Sequence, residues 1–184
     1  MKRRLTLSLL VLLLCGTLSA PRASAQYYAL GVNAPLLATG TLNLSLDAAI
    51  APHWSVELPL LWNPIRTEHL QACIAAIQPG IRYWLFEEYA GHFVAAHLAA
   101  ALYDVGDAHT HYEGWLAGFG VSYGYSWPLS MRWNLALEVG IGAYYMRDTR
   151  RQHSTPPLQS EYIYRNHRWV LAPSKFAVSF SYLF

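Results

Sequence analysis

The sequence predicts an all-β protein, an eight-stranded antiparallel up-and-down transmembrane β-barrel. The chain of 184 residues is 54% hydrophobic and 14% aromatic but only 13% charged, whereas soluble domains carry about 25% charged residues. After the first 20 residues, no apolar run reaches the roughly 18 residues that a membrane-spanning helix needs. Instead, large apolar residues alternate with small or polar ones along eight segments, as in strands that face lipid on one side.

The first 25 residues have the order of a secretory signal peptide. Basic residues at positions 2–4 precede an apolar run from Leu5 to Leu14, and Ala23-Ser24-Ala25 provides an A-x-A cleavage site. We therefore expect cleavage after Ala25 and a mature barrel domain over residues 26–184. A lipoprotein anchored through Cys15 is the weaker alternative, because Leu14 stands where a small residue is expected.

Cleavage changes the charge of the protein. It lowers the Lys+Arg count from 13 to 9 against 11 acidic residues, so the net charge falls from +2 to −2. A nucleic-acid partner is therefore not predicted. Cys73 is the only cysteine of the mature chain, so no internal disulfide forms, and an inert apolar side chain is its expected role.

The sixth alternating segment is the clearest of the eight. Its large residues Trp115, Phe119, Tyr123 and Trp127 alternate with glycine and serine. The fifth segment is rich in alanine and also suits a helix, but we expect a strand. The eight predicted strands are residues 28–36, 42–50, 54–62, 77–85, 92–103, 115–127, 133–145 and 176–184.

All charged residues inside the predicted strands fall on the face opposite the large apolar residues. Lipid exposure would enforce this, because an Arg or Lys facing lipid at the membrane centre costs about 2–4 kcal/mol. We predict a polar network in the lumen, with Arg82 in contact with Glu57 or Glu138. Eight strands leave room for side chains only, so we expect a closed interior rather than a pore. The predicted network comprises Asp47, Glu57, Arg82, His97, Glu138 and Lys175.

A soluble periplasmic binding barrel of the lipocalin type is the alternative fold assignment. Its apolar face would point inward and its other face into water. That other face is mainly Gly, Ala and Ser, with too few Lys, Glu and Thr for a solvated surface. The composition of the two faces therefore favours the membrane barrel.

The connections between strands predict an orientation. Those after the second, fourth and sixth strands are short, whereas residues 63–73, 106–113 and 147–168 form longer ones; only the first outer loop is short. Bacterial barrels have short periplasmic turns and longer outer loops, so both mature termini are expected in the periplasm. Tryptophans mark both membrane interfaces, with Trp54, Trp127 and Trp133 at the periplasmic end and Trp62, Trp115 and Trp169 at the outer end.

Several motifs in order carry a family resemblance over nearly all of the mature chain. They are residues 78–84 (QPGIRYW), 91–93 (GHF), 112–115 (YEGW), 120–127 (GVSYGYSW) and 132–135 (RWNL). The chain resembles a family of small outer-membrane barrels from Bacteroidetes, OmpA/OmpX-like and catalogued as a domain of unknown function.

The resemblance implies a place in the outer membrane of a Gram-negative bacterium, in contact with its lipid and lipopolysaccharide. It implies no catalytic residue and no cofactor, and the neighbourhood of family genes to fimbria-like adhesin genes implies a role in supporting surface adhesins. The end of the chain also resembles the signal that the barrel-assembly machinery reads, with Phe180, Tyr182 and Phe184 as its aromatic residues.

Two outer segments are binding candidates. His109 and His111, flanked by Asp107 and Glu113, are weak metal candidates, since two histidines two apart share a strand face but no third ligand has a defined spacing. We expect a solvated polar loop there. The last outer loop is basic and could hold lipopolysaccharide phosphates, an acidic glycan or a protein, or its arginines simply face anionic headgroups. These arginines are Arg147, Arg150, Arg151, Arg165 and Arg168.

Catalysis is the remaining alternative, because some eight-stranded outer-membrane barrels are lipid A acyltransferases or deacylases. Ser154 beside His153 and Ser160 beside Glu161 are the only suggestive pairs. Their spacing defines no nucleophile, base and orienting group. We therefore expect a non-enzymatic protein with a structural or interaction role.

Overall fold

A computed structural model of the protein describes residues 28–66, 71–106, 110–152 and 162–184. These residues form a closed antiparallel barrel, because β1 pairs with β2 on one side and with β9 on the other. Its elements are β1 (Tyr28–Asn33), α1 (Ala34–Ala38), β2 (Leu42–Ala51), β3 (Trp54–Arg66), β4 (Gln71–Ile77), β5 (Gly80–Trp84), β6 (Gly91–Gly106), β7 (Thr110–Pro128), β8 (Trp133–Gln152) and β9 (Tyr162–Leu183).

The nine strand segments make eight strands of the barrel, because β4 and β5 follow each other between β3 and β6. The break lies at Gln78 and Pro79, where proline supplies no N–H to the ladder. β3 and β6 still hydrogen-bond to the two residues of the break. Gln78 N–H donates to the Pro59 carbonyl at 3.1 Å, and Leu98 N–H donates to the Pro79 carbonyl at 2.9 Å. The eight-stranded antiparallel prediction is confirmed, and so is the assignment of the alanine-rich fifth segment to a strand.

The first strand ends earlier than the alternation predicts. The prediction of a strand to Leu36 was wrong, because β1 stops at Asn33 and the next five residues form α1. Pro35 lies in the first turn of α1, where its fixed φ and missing N–H suit a helix and not a strand. Gly40, with φ of +75°, then turns the chain into β2.

Most of the other strands extend beyond their predicted ends on the side of the barrel that carries the β8–β9 hairpin. Residues 147–168 were expected to be a loop, but β8 and β9 pair in register up to Gln152 and Tyr162. The expected loops at 63–73 and 106–113 are likewise mostly strand, with β3 pairing β4 up to Arg66 and Gln71. The predictions stopped where apolar alternation stops, whereas backbone pairing continues wherever two strands stay adjacent.

The two faces of the barrel wall have opposite character. The outer face is covered by exposed large apolar side chains on every strand, including six tryptophans that are 38–66% exposed. The inner face carries the charges, among them Glu57, 3% exposed, and Glu138, 2% exposed. Within the described ranges, no helix has the length and apolar character to cross a membrane.

Candidate functional site

A cluster of five charged side chains fills the middle of the barrel. The Arg82 guanidinium lies at its centre, with Nη1 donating to Asp47 Oδ1 at 2.6 Å and Nη2 to Glu138 Oε2 at 2.9 Å. Nη2 also lies 2.5 Å from Glu57 Oε2. Lys175 Nζ bonds to Glu57 and lies 2.9 Å from Glu138 Oε1. The cluster therefore ties together β2, β3, β5, β8 and β9 across the lumen.

Small residues make room for these side chains. Gly80 pairs with Glu57, and a Cβ at Gly80 would lie 3.0 Å from Glu57 Oε1. Gly140 pairs with Lys175, where β9 has a bulge that inserts Ser174 as an extra residue. Gly80 therefore leaves room for the Glu57 carboxylate, whereas Gly120 and Gly124 of β7 leave room for the rings of His97 and Phe93.

Two serines complete the hydrogen bonding of the acids. Ser45 Oγ donates to Asp47 Oδ2 at 2.7 Å, and Ser122 Oγ donates to Glu138 Oε1 at 2.6 Å. Three carboxylates and two cations give the cluster a formal charge of −1 when all five are ionised. Buried charges are tolerated when they are paired and hydrogen-bonded, so this geometry suits a structural clamp.

His97 lies on the inner face of β6 next to the cluster. It is buried, and neither ring nitrogen has a hydrogen-bond partner among the described residues. Its neighbours are Gly80, directly opposite on β5, and Gly120, directly opposite on β7. The structure thus brings all six predicted lumen residues into one region, with His97 outside the hydrogen-bonded cluster.

An aromatic plug formed by Trp84, Phe93 and Tyr89 lies in the lumen beside the charges. Trp84 and Phe93 are buried with ring centroids 4.7 Å apart, and Tyr89 lies 5.6 Å from Trp84. The Arg82 guanidinium sits 5.0 Å from the centre of the Phe93 ring, so the plug contacts the charge cluster by a cation–π interaction. Trp84 Nε1 donates to Ser55 Oγ at 2.8 Å, which satisfies its buried N–H.

Tyr89 was missed by the sequence analysis. It belongs to the short turn between β5 and β6, where it has φ of +62° and folds back into the barrel. Ser126 Oγ and Asn134 Nδ2 donate to its carbonyl at 2.8 and 2.7 Å, and burial raises the pKa of its phenol above the usual range. A bulky aromatic residue in a six-residue turn was the available signal.

The described arginines of the β8–β9 hairpin do not form one patch. Arg147 is exposed on β8 and pairs with His167, while Arg168 follows on β9 with the opposite strand parity. The rings of Trp115, Tyr145 and Trp169 lie just below, with centroids 5.6–5.9 Å apart in consecutive pairs. The side chains of Arg150, Arg151 and Arg165 lie outside the described residues, although their backbones belong to the hairpin.

The weaker candidates are mostly outside the described residues. His109, Ser154 and Ser160 are among these, and only the backbone of His111 is described, on β7. Among the described residues, no group of three or more His, Cys, Asp or Glu has the arrangement of a metal site. Phe180, Tyr182 and Phe184 follow one another on the outer face at the end of β9, and Arg132 Nη1 donates to the Tyr182 hydroxyl at 3.0 Å.

Comparison with known proteins gives one match. No curated protein and no solved structure matches the chain significantly. Residues 8–184 match the model of a family described as a protein of unknown function (DUF3575), so the chain belongs to that family.

Proposed function

We propose that the protein is a non-enzymatic outer-membrane barrel, exported by a cleaved signal peptide, with a closed interior and an outer hairpin that binds a partner. The observation that carries the proposal is the reversed polarity of the barrel, with apolar side chains outside and charges inside. OmpA/OmpX-like architecture, Bacteroidetes origin and support of surface adhesins belong to the same proposal.

The apolar outer face is far larger than a soluble surface allows. Monomeric soluble proteins expose apolar patches of a few hundred Å² at most, whereas here exposed Leu, Val, Phe and Trp side chains follow one another on every strand. A lipocalin-type barrel would have these side chains inside. Fractionation should find the protein in outer membranes, with a gel mobility that changes on boiling.

The charge cluster and the aromatic plug support a closed interior. Trp84, Phe93 and Glu138 are each at most 2% exposed, so side chains fill the cross-section. We expect no steady conductance from the purified protein in planar bilayers. Stable open-channel currents would contradict the closed barrel and make the protein a pore.

The outer hairpin can be located on intact cells. In a Cys73→Ser background, Arg147→Cys lies at the long-hairpin end and Arg132→Cys lies in the short turn before β8. A membrane-impermeant maleimide should label position 147 on intact cells, and position 132 only after the outer membrane is permeabilised. Labelling of position 132 on intact cells, with position 147 labelled only after permeabilisation, would show that the long hairpin faces the periplasm.

Removal of the same hairpin tests whether it binds a partner. We expect cross-linking on intact cells to capture a surface protein or glycan with the full protein, and to lose it when residues 147–168 are replaced by a short turn. A partner that persists while the shortened barrel remains inserted would place the contact on another surface.

A further inference from the structure

The barrel wall has a gap on one side. β9 pairs with β1 only from Ser179 to Leu183, and β1 ends at Asn33. Beyond that point, no described strand pairs with β9 on its side away from β8, and α1 stands where β1 would continue. Within the described barrel, strand pairing is therefore missing between β9 and β2 at this height, where α1 lies between the two strands.

The Asn33 side chain hydrogen-bonds the backbone of β9 where the pairing of β1 with β9 ends. Asn33 Nδ2 donates to the Phe176 carbonyl at 3.3 Å, and Val178 N–H donates to Asn33 Oδ1 at 3.2 Å. Asn43 on β2 accepts from Asn33 N–H and donates to the Asn33 carbonyl at 3.0 Å. The Asn33 and Asn43 side-chain amides therefore hydrogen-bond backbone groups at the point where the strand pairing of β1 ends, and they hold the chain in place at the edge of the gap.

A cavity of about 420 Å³ lies at this gap, beside α1. Its outer lip includes Leu44 and Phe176, which are 39% and 64% exposed on the outer face. Its inner end reaches Lys175 and Glu57 in the lumen. Residues of both faces of the barrel wall therefore line one cavity at the gap.

The size and lining of the cavity indicate the occupant. Its volume falls within the roughly 300–1,000 Å³ of small-molecule pockets. The charges at its inner end are already paired with one another, so the part left to contact a ligand is mainly apolar. Its apolar residues are Pro35, Leu36, Leu44, Pro59, Leu61, Pro173 and Phe176, and the neutral polar residues Asn33, Thr39, Asn43, Ser45, Gln78, Ser174 and Ser179 also line the cavity.

We propose that the gap is a lateral portal that binds one acyl chain of a membrane lipid. The portal opens on the apolar outer face, so the inference rests on the proposed membrane location. The lipid headgroup stays at the outer lip, and the chain end reaches Pro59 and Leu61, which line the lumen side of β3. Because the chain already lies in hydrocarbon in the bilayer, van der Waals packing against these side chains supplies the binding free energy.

Photolabelling tests the portal directly. The full protein is reconstituted in phosphatidylethanolamine and phosphatidylglycerol vesicles that contain a phospholipid with a diazirine at the end of one acyl chain. We expect labelled peptides to include Pro59 or Leu61 as well as outward residues such as Val139. Labels on outward residues alone would overturn the portal and leave the membrane location intact. Labels on neither face would overturn the membrane location itself.

A matched pair of variants checks the route of entry. Leu44→Trp narrows the outer lip, whereas Leu46→Trp places the same ring two residues along the same face of β2, where Leu46 is 43% exposed and does not line the cavity. We expect Leu44→Trp to lower labelling of Pro59 and Leu61 several-fold and Leu46→Trp to leave it unchanged. Equal labelling of Pro59 and Leu61 in both variants would overturn entry through the portal. If either variant fails to fold, the positions labelled in the wild-type protein decide whether the portal binds an acyl chain.

Unlabelled lipid A added to the same vesicles identifies the natural source of the chain. Loss of the lumen-side label would assign the portal to lipid A, and its persistence would assign it to phospholipid. Both results support an acyl-chain site, because both require the lumen-side label in the first place.

Discussion

Replacement of Arg82 by methionine removes the centre of the charge cluster and keeps most of the side-chain volume. The guanidinium contacts Asp47, Glu57 and Glu138, and its side chain is only 10% exposed. In Arg82→Met, Glu57 and Glu138 keep Lys175 as a cation partner, whereas Asp47 loses its contact with the guanidinium. Breaking a buried ion pair on one side costs about 3–5 kcal/mol, so we expect a loss of stability in that range.

The loss is measured by urea unfolding of the barrel in detergent, followed by tryptophan fluorescence and gel mobility. With a denaturant slope of about 2 kcal/mol per M, the midpoint should fall by roughly 2 M. Arg132→Met is the matched control, because Arg132 is exposed in a turn and contacts Tyr182. We expect the control to change stability by less than about 0.5 kcal/mol.

A double variant separates charge from packing. Adding Glu57→Gln to Arg82→Met removes one of the two carboxylates that then share Lys175, and we expect it to recover at least about 1 kcal/mol of the loss. Two results would refute the clamp. One is an Arg82→Met barrel within roughly 1 kcal/mol of the wild type, and the other is a double variant that is less stable than the single one.

Three further substitutions test the plug, the packing and the outer face. Trp84→Ala should cost about 3–5 kcal/mol and produce channel openings in planar bilayers; a variant as silent as the wild type would remove Trp84 from the closure. Gly124→Val should cost about 1–3 kcal/mol in urea unfolding, because a Cβ there collides with the Phe93 ring, and unchanged stability would contradict this packing. Val139→Arg, midway along the outer face of β8, should cost about 2–4 kcal/mol in vesicles, whereas Ser130→Arg in the exposed turn should be neutral; equal values would argue against lipid contact.

Alternation alone predicted which side chains face inward. Glu57, Arg82 and Glu138 lie far apart in the chain, yet each stands opposite the large apolar residues of its own strand. Closure of a barrel brings every inward side chain toward one axis. The alternation of inward and outward positions along each strand was therefore enough to predict that these three side chains lie together. The outward position of the tryptophans follows from the same parity.

Features that depend on closure or on single residues were not predicted. Pro35 and Pro79 were available signals, since proline disrupts a strand ladder, but apolar alternation runs through both positions and concealed the helix and the break. The fold of Tyr89 into the lumen depends on bonds from Ser126 and Asn134 that no local pattern shows. The portal arises only when β9 meets the shortened β1.

The outer ends of the strands were missed for a different reason. Beyond Tyr145, side chains no longer alternate between apolar and small, because that part of the hairpin is expected to lie outside the lipid. The backbone pairing of Arg151 with Ile163 nevertheless continues the ladder. Alternation therefore indicates which part of a strand faces an apolar medium and not where the strand ends.

A spin-label scan along β8 tests the membrane-embedded barrel most directly. Single cysteines at residues 136–141 in a Cys73→Ser background are labelled and reconstituted in vesicles. We predict that positions 137, 139 and 141 collide with dissolved oxygen and are shielded from a water-soluble nickel complex, while positions 136, 138 and 140 are not oxygen-accessible. Strong nickel access at 137, 139 and 141 would show that this face contacts water and would contradict the account.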